Sequence, residues 1–545
     1  MSWLYAVWLV VISAFAAVHA LHLSADFPNY TPWHMDYAKY TDEGWYGNAA
    51  IRAHLFGYWY VPGDFNPGPA VPVWPFLEWI LFFFTGVNVN AARGLAVAFF
   101  CASLLLCYTL LRPRGPKWMV LLALTLIVTS PFLYCFSRLA ILEPMLTTLV
   151  LAALNLAVRL PKMRRPLAAS SVIGALFTLM VLTKTTAVFL LPAIGWAVFA
   201  AFRERGDTAS DSSRSSFRKW FHPGTVKCAI AAASTFVVTF GAWMGILVAL
   251  GYFADFRFLL FINKYVKPTE FYWPLLSFWW SLHGAVWIDR ILTPLAGTLV
   301  LATLLAATVS GKRSTWGREL LVDPVFGAAI LAAGGYIAFM TYQNHPQPRY
   351  FALVAVFCFI IIAMASARLA QLHGLPRLLG QGAVALTAIA VAVNASLTLN
   401  FAAHPEYTFV NAARQLTDYI DQHPNGKRLM VSISGDEITL ITHLPTLCDD
   451  FSMHTSTLPD LGTKLLVNQP GWWATWNVVD PGTLEDLHTH YSLEQVATFH
   501  AFDDPDRNEL VLFKLHPLPG GQSRIISGEN LQAALPGDSI LIPIQ

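Results

Sequence analysis

Through residue 405, stretches of about twenty residues without Asp, Glu, Lys or Arg recur along the chain, separated by short polar segments. A bilayer's hydrocarbon core takes about 20 mostly apolar residues per helix. The pattern therefore predicts spans at approximately 3–23, 91–111, 118–136, 139–158, 167–183, 185–202, 228–252, 292–310, 324–342, 350–367 and 380–400. The apolar run VPVWPFLEWILFFFTG at 71–86 is shorter and contains Pro72, Pro75 and Glu78, so it reads as an interfacial or partly re-entrant helix. After residue 400 the periodicity changes. An amphipathic stretch, a Pro-Asn-Gly turn and a β-rich run follow one another in PEYTFVNAARQLTDYIDQHPNGKRLMVSIS, with further short strands expected at 438–443, 464–468 and 510–515. The expected architecture is an α-helical polytopic membrane domain over 1–400, with a first outer loop at 24–90, followed by an extracytoplasmic α/β domain over 401–545.

Charge supports the division. Of 545 residues, 12% are charged and 55% hydrophobic, against roughly 25% charged in a soluble domain. Residues 1–400 carry 28 basic and 15 acidic groups and residues 401–545 carry 7 and 18, so a net charge of +2 hides local balances of +13 and −11. Neither region suits nucleic acid. Lys and Arg collect in short cytoplasmic loops. Placing the N-terminus inside puts 18 of the 28 basic residues before position 400 in inner loops such as RPRGPK and RLPKMRRP. The loop at 24–90 and the tail then face outward from the cytoplasmic membrane. The six cysteines are too scattered for a disulfide framework or zinc cluster.

Paired carboxylates are rare in residues 1–400, and Asp42-Glu43 lies about twenty residues after the first span, beside Tyr40, Trp45 and Tyr46. Such a pair could take a proton from an acceptor hydroxyl or, as a minority reading, hold a divalent cation. An Asp N-cap for a helix beginning at Glu43 accounts for it without chemistry. Arg93, Arg138, Lys184 and Arg349 fall near the outer ends of their spans. Four cations on one face would suit a phosphate or pyrophosphate, while snorkelling to headgroups is the plain reading for each. Glu143 follows Arg138 by five residues, about 140° around a helix, so each needs a partner elsewhere. No obligatory metal is expected, since neither His34 and Asp36 nor His488-Thr489-His490 has a recognised zinc spacing.

The ordered set TDE at 41–43, FFFTGVNVNAARGLAVAF, SRLAILEPML, VLTKTTAVFLLP and QPRYFALVAVF resembles the GT-C glycosyltransferases of the protein O-mannosyltransferase and lipid A aminoarabinose transferase superfamily, over roughly residues 1–370. The resemblance implies an inverting enzyme that passes a sugar from a polyprenyl-phosphate donor to a hydroxyl of a lipid, glycan or protein outside the cytoplasmic membrane. It implies Asp42 as general base with Glu43 beside it in the acceptor or donor site. It further implies Arg93 contacting carboxylates or donor, and Arg138, Lys184, Arg349 and Tyr350 near the carrier phosphate. Tyr46 and Glu143 belong to the same substrate-binding set. The chain departs from the pattern at Asn66-Pro67-Gly68-Pro69, where aminoarabinose-type relatives carry Lys-Pro-Pro, and at Glu143, where many have Asp. Two other readings use the same charges: a transporter or flippase of a lipid-linked substrate, or an oligosaccharide or O-antigen ligase, for which His283 and His345 are the available outer-loop histidines.

Overall fold

The structure is a computed structural model and describes residues 2–26, 37–61, 64–208, 223–262, 289–308, 315–343, 347–449, 461–502, 508–518, 532–535 and 539–541. His283 and His345 lie outside the described residues, as do His34 and Asp36.

Among the described residues, seven helices are long and apolar enough to cross a membrane: Val89–Leu111, Pro166–Thr183, Thr185–Glu204, Pro223–Leu250, Pro324–Tyr342, Pro348–Ala370 and Leu375–Ala403. Five shorter apolar helices accompany them, including Trp3–Val18 and Leu142–Ala157. The stretch expected to span 118–136 is divided. Helix Lys117–Thr129 ends at an extended Ser130, whose Oγ accepts from the Leu133 N–H and caps a new helix, Pro131–Phe136. Pro131 brings no N–H and fits only a first helical turn, so helix cannot run through it unbroken. The most apolar 18-residue stretch of Pro348–Ala370 is wholly buried, whereas only 6% of that of Pro223–Leu250 is; the first helix runs through the packed interior and the second along its surface.

The element that positions the site is α1, Asp42–Phe56. It lies on α2, Val73–Thr85, and the N-terminal end of α3, Val89–Leu111. At 13 residues α2 is about 20 Å long, too short to cross the hydrocarbon core. Gly47 lets the two pack closely, because a Cβ there would stand 2.1 Å from the Glu78 carboxylate. Asn88 starts α3, its side chain accepting from the Ala91 N–H at 2.8 Å.

Beyond Ala403, α4 (Thr408–Gln422) covers a five-stranded sheet. Its strands are β1 (Met430–Val431), β2 (Thr446–Leu447), β3 (Trp472–Trp476), β4 (Tyr491–His500) and β5 (Glu509–Pro517), in the order β2-β1-β3-β5-β4. β1 is parallel to β2 and β3, with Met430 opposite Thr446 and Trp472, and β3 is antiparallel to β5, with Trp473 opposite Phe513. The strand expected at 510–515 lies within β5. Two others are helices instead: α5, Gly435–Thr442, and α6, Leu461–Asn468. Leu461 and Leu465 stand four apart on one buried face of α6, a period that suits a helix, and Asp436 and Glu437 fall in the first turn of α5, where acidic side chains are favoured. β3, WWATW, is buried at every position, so it lacks the alternation by which a half-exposed strand is read.

Candidate functional site

Asp42 is the first residue of α1, and no side-chain cap closes the helix at Thr41. The Asp42 carboxylate instead faces Arg349, Nη2 to Oδ2 at 3.1 Å, and accepts from Thr41 Oγ1 at 3.0 Å through Oδ1. Arg349 sits in the 3₁₀ turn Pro348–Tyr350 that opens the central helix. Beside it Lys184, at the break between helices Pro166–Thr183 and Thr185–Glu204, is ion-paired with Glu143. Both cations lie over the Tyr350 ring, Lys184 Nζ at 4.4 Å and the Arg349 guanidinium at 5.0 Å from its centre. Tyr46, one turn after Asp42, completes the group. Burial, then the Asp42 charge, push its phenol well above the ordinary range, and Arg349, Glu143 and Tyr350 are within electrostatic reach.

Six of the residues picked from sequence thus come together: Asp42, Tyr46, Glu143, Lys184, Arg349 and Tyr350. Two acids are paired with two cations, and two tyrosines lie beside them. The described chain supplies this arrangement from four places far apart in sequence, and the Glu143 Oε2 atom within it has no hydrogen-bond partner.

Glu43, Arg93 and Arg138 go elsewhere. Glu43 is fully buried and receives both Nε and Nη2 of Arg93, at 2.7 and 2.6 Å, as well as the Ala140 N–H at 2.7 Å. The remaining Arg93 Nη1 donates to the Leu23 and Ala25 carbonyls at 2.8 and 2.6 Å. Arg138 donates to Tyr134 Oη and to the Leu21 and His22 carbonyls. These two arginines tie the chain leaving the first helix to its neighbours. The four cations expected on one face are therefore two at the site and two in the scaffold. Adjacent residues on a helix point about 100° apart, which separates Asp42 from Glu43.

An apolar groove of about 380 Å³ lies along α1, walled by Ala49, Ala53, Pro72, Trp79, Trp243 and Leu250 among others. Asp42, Tyr46, Ala49 and Ala53 fall at steps of four, three and four, one stripe of the helix. The groove begins about 10 Å along the helix from Asp42.

The α/β part reaches this helix directly, which the sequence reading did not foresee. Arg52 Nη2 meets Asp64 at 3.2 Å and Asp436 at 3.0 Å, and Lys464 Nζ meets Asp64 at 3.0 Å, all four being buried. Burial raises Asp64, but Lys464 and Arg52 outweigh it and hold the carboxyl below its usual value. Burial dominates at Asp436 and pushes it up to about 6 despite Arg52. Asp436-Glu437 is one of five adjacent carboxylate couples in the sequence, so the couple by itself gave no signal for this docking. Among the described residues no group of three or more His, Cys, Asp and Glu gathers to hold a metal ion.

The family model described as dolichyl-phosphate-mannose-protein mannosyltransferase matches residues 67–210, a segment that holds Arg93, Arg138, Glu143 and Lys184. No curated protein sequence matches the chain. Among solved structures, ArnT from Cupriavidus metallidurans bound to undecaprenyl phosphate is similar over 95% of this chain and 99% of its own, at 13% identity and a TM-score of 0.53. The oligosaccharyltransferase AglB from Archaeoglobus fulgidus is matched over 98% of this chain and 75% of its own, at 13% identity and a TM-score of 0.48. The Pmt1-Pmt2 protein O-mannosyltransferase complex of S. cerevisiae is matched over 48% of this chain and 37% of its own, at 14% identity and a TM-score of 0.32. The chain thus has the GT-C fold shared with ArnT, and within it residues 67–210 match the family model described as dolichyl-phosphate-mannose-protein mannosyltransferase.

Proposed function

We propose that this protein is an inverting glycosyltransferase that moves a sugar from a polyprenyl-phosphate donor to a hydroxyl acceptor at the extracytoplasmic face of a cell membrane, its N-terminus cytoplasmic. Residues 1–400 hold the donor and carry the chemistry, and the α/β part beyond residue 400 lies on the same outer side. The observation that carries the reading is the Asp42–Arg349 pair beside Lys184 and Glu143, on the same helix stripe as an apolar groove that begins about 10 Å further along α1. The ArnT structure of the same fold is described with undecaprenyl phosphate, which supports a lipid phosphate as the anion.

In this reading the groove takes the isoprenoid chain and the phosphate enters between Arg349 and Lys184. The phosphate competes with Asp42 for Arg349, so donor binding frees the carboxylate that must accept a proton. The acceptor oxygen then forms its bond to the anomeric carbon from the face opposite the phosphate, its proton passing to Asp42. The bond from the anomeric carbon to the phosphate oxygen breaks with its electron pair, and the lipid phosphate leaves as a dianion. Charge grows where the two cations already stand, the place where preorganised electrostatics act most strongly. Tyr46 and Tyr350 flank the reacting centre.

Asp42→Asn tests the assignment. Transfer from a panel of undecaprenyl-phosphate hexoses and pentoses to a total envelope fraction should fall by about 10²- to 10⁴-fold, the usual share of a general base. Binding of undecaprenyl phosphate should be kept or tightened, because Arg349 has lost its competing carboxylate. Transfer at the wild-type rate would remove Asp42 from the chemistry.

A further inference from the structure

Helix α1 begins with Asp42 but does not cap itself. The first four N–H groups of a helix have no partner within it, and the usual remedy is a side-chain oxygen at the preceding residue. Thr41 occupies that place, yet it makes no cap bond, and its hydroxyl donates to Asp42 instead. The third amide, that of Gly44, donates to Glu437 Oε2 at 2.8 Å across 393 residues of chain.

The backbone approach is equally close. A methyl group on Gly44 would stand 2.1 Å from the Asp436 carbonyl carbon and oxygen and 2.4 Å from the Glu437 nitrogen. Two turns further along α1, Arg52 is paired with Asp436. Helix α5 of the α/β part therefore grips α1 at two points, one of them directly behind Asp42.

From this geometry we infer that Glu437 is a positioning residue for the transfer reaction, supplying from the α/β part the N-terminal cap of the helix whose first residue is Asp42. The inference rests on the reading of Asp42 as the base. It goes beyond the family match, which ends at residue 210 and leaves the α/β part without a role. The cap fixes the first turn of α1, and with it the direction from which the Asp42 carboxylate meets Arg349 and an incoming hydroxyl. A misplacement of about 1 Å in such a group costs on the order of a hundredfold in rate.

Glu437 sits among Glu43, Arg93 and Asp26. Burial, then the Glu43 charge, push its carboxyl well above the usual range. The bond to Gly44 needs an acceptor oxygen, and a neutral amide oxygen serves. Glu437→Gln is therefore the conservative variant and Glu437→Leu the disruptive one.

The experiment uses the full chain in nanodiscs with the same donor panel. Glu437→Leu should lower kcat by roughly ten- to a hundredfold, with KM for the donor and binding of undecaprenyl phosphate unchanged, while Glu437→Gln stays near wild type. A second variant separates the cap from folding. Thr41→Asn, introduced into Glu437→Leu, offers α1 a favoured local cap and should recover most of the lost kcat. A wild-type kcat in Glu437→Leu overturns the inference, as does equal loss in the Gln and Leu variants, or a Thr41→Asn double variant that recovers nothing. The Asp42→Asn protein, run alongside, tells the two failures apart. If it retains transfer, the reading of Asp42 has failed; if it is inactive while Glu437→Leu is fully active, only the role of Glu437 has.

Discussion

Replacing Glu43 by Gln separates the two neighbouring carboxylates. In the wild type the Glu43 side chain is fully buried and takes three hydrogen bonds, two from the Arg93 guanidinium and one from the Ala140 amide. The amide of Gln keeps the shape but has one acceptor oxygen, so at most one arm of the guanidinium keeps its partner. The other arm faces an NH₂ group that can only donate. Removing one member of a buried pair typically costs about 3–5 kcal/mol, because an uncompensated charge is left in a low-dielectric place. We expect Glu43→Gln to unfold at markedly lower temperature and denaturant concentration in detergent, and to give lower yield. At low temperature the surviving folded fraction should still transfer sugar, whereas Asp42→Asn, whose pair with Arg349 is less buried, should lose less stability than Glu43→Gln and transfer very little. Glu43→Gln combined with Arg93→Met should be less destabilised than Glu43→Gln alone, since the orphaned cation is removed along with its partner. The reasoning fails if Glu43→Gln matches the wild type in stability yet loses transfer, for then Glu43 belongs to the reacting centre.

Other outcomes follow from the same geometry. Burial raises Asp26 and Asp436 from an ordinary 3.8 to about 6, so the folded form binds protons more tightly than the unfolded one. The stability linked to these protons is fully present below pH about 4 and is lost as pH rises through about 6, at about 3 kcal/mol for each group. Thermal midpoints of the solubilised protein should carry this falling component, and Asp436→Asn should flatten it; an unchanged slope in that variant would contradict the assignment. Ala53→Phe narrows the groove beside Trp79 and Trp243. It should raise KM for undecaprenyl-linked donors more than for donors carrying a two-isoprene chain, and equal effects on both would place the isoprenoid elsewhere.

Much of the membrane part was legible because the bilayer imposes a coarse rule: a helix long and apolar enough to cross it stands out in the sequence. The break at Ser130-Pro131 was also written there, but a span of apolar residues conceals a change of direction inside it. At the site, charges near the ends of apolar stretches pointed to Lys184 and Arg349 because isolated ions are costly in lipid. The same argument pointed equally to Arg93 and Arg138, whose partners are Glu43 and backbone carbonyls. Which cation is occupied and which faces the site is decided by contacts between segments far apart in sequence, and one chain read alone carries no signal for those. The docking of α5 on α1 was hidden for a related reason. Gly44 is an ordinary helix glycine until the Asp436 backbone is seen against it, and LGTKLLVN reads as strand or helix until its buried face is known.

The bond from Gly44 to Glu437 also sets an order in time. At synthesis rates of about 5–20 residues per second, the 393 residues between them take roughly 20–80 s to make. For that interval a nascent chain holds the Asp42 helix without the far residue that caps it. On the proposed reading, a copy cut short before residue 437 would lack that cap and would transfer sugar only slowly.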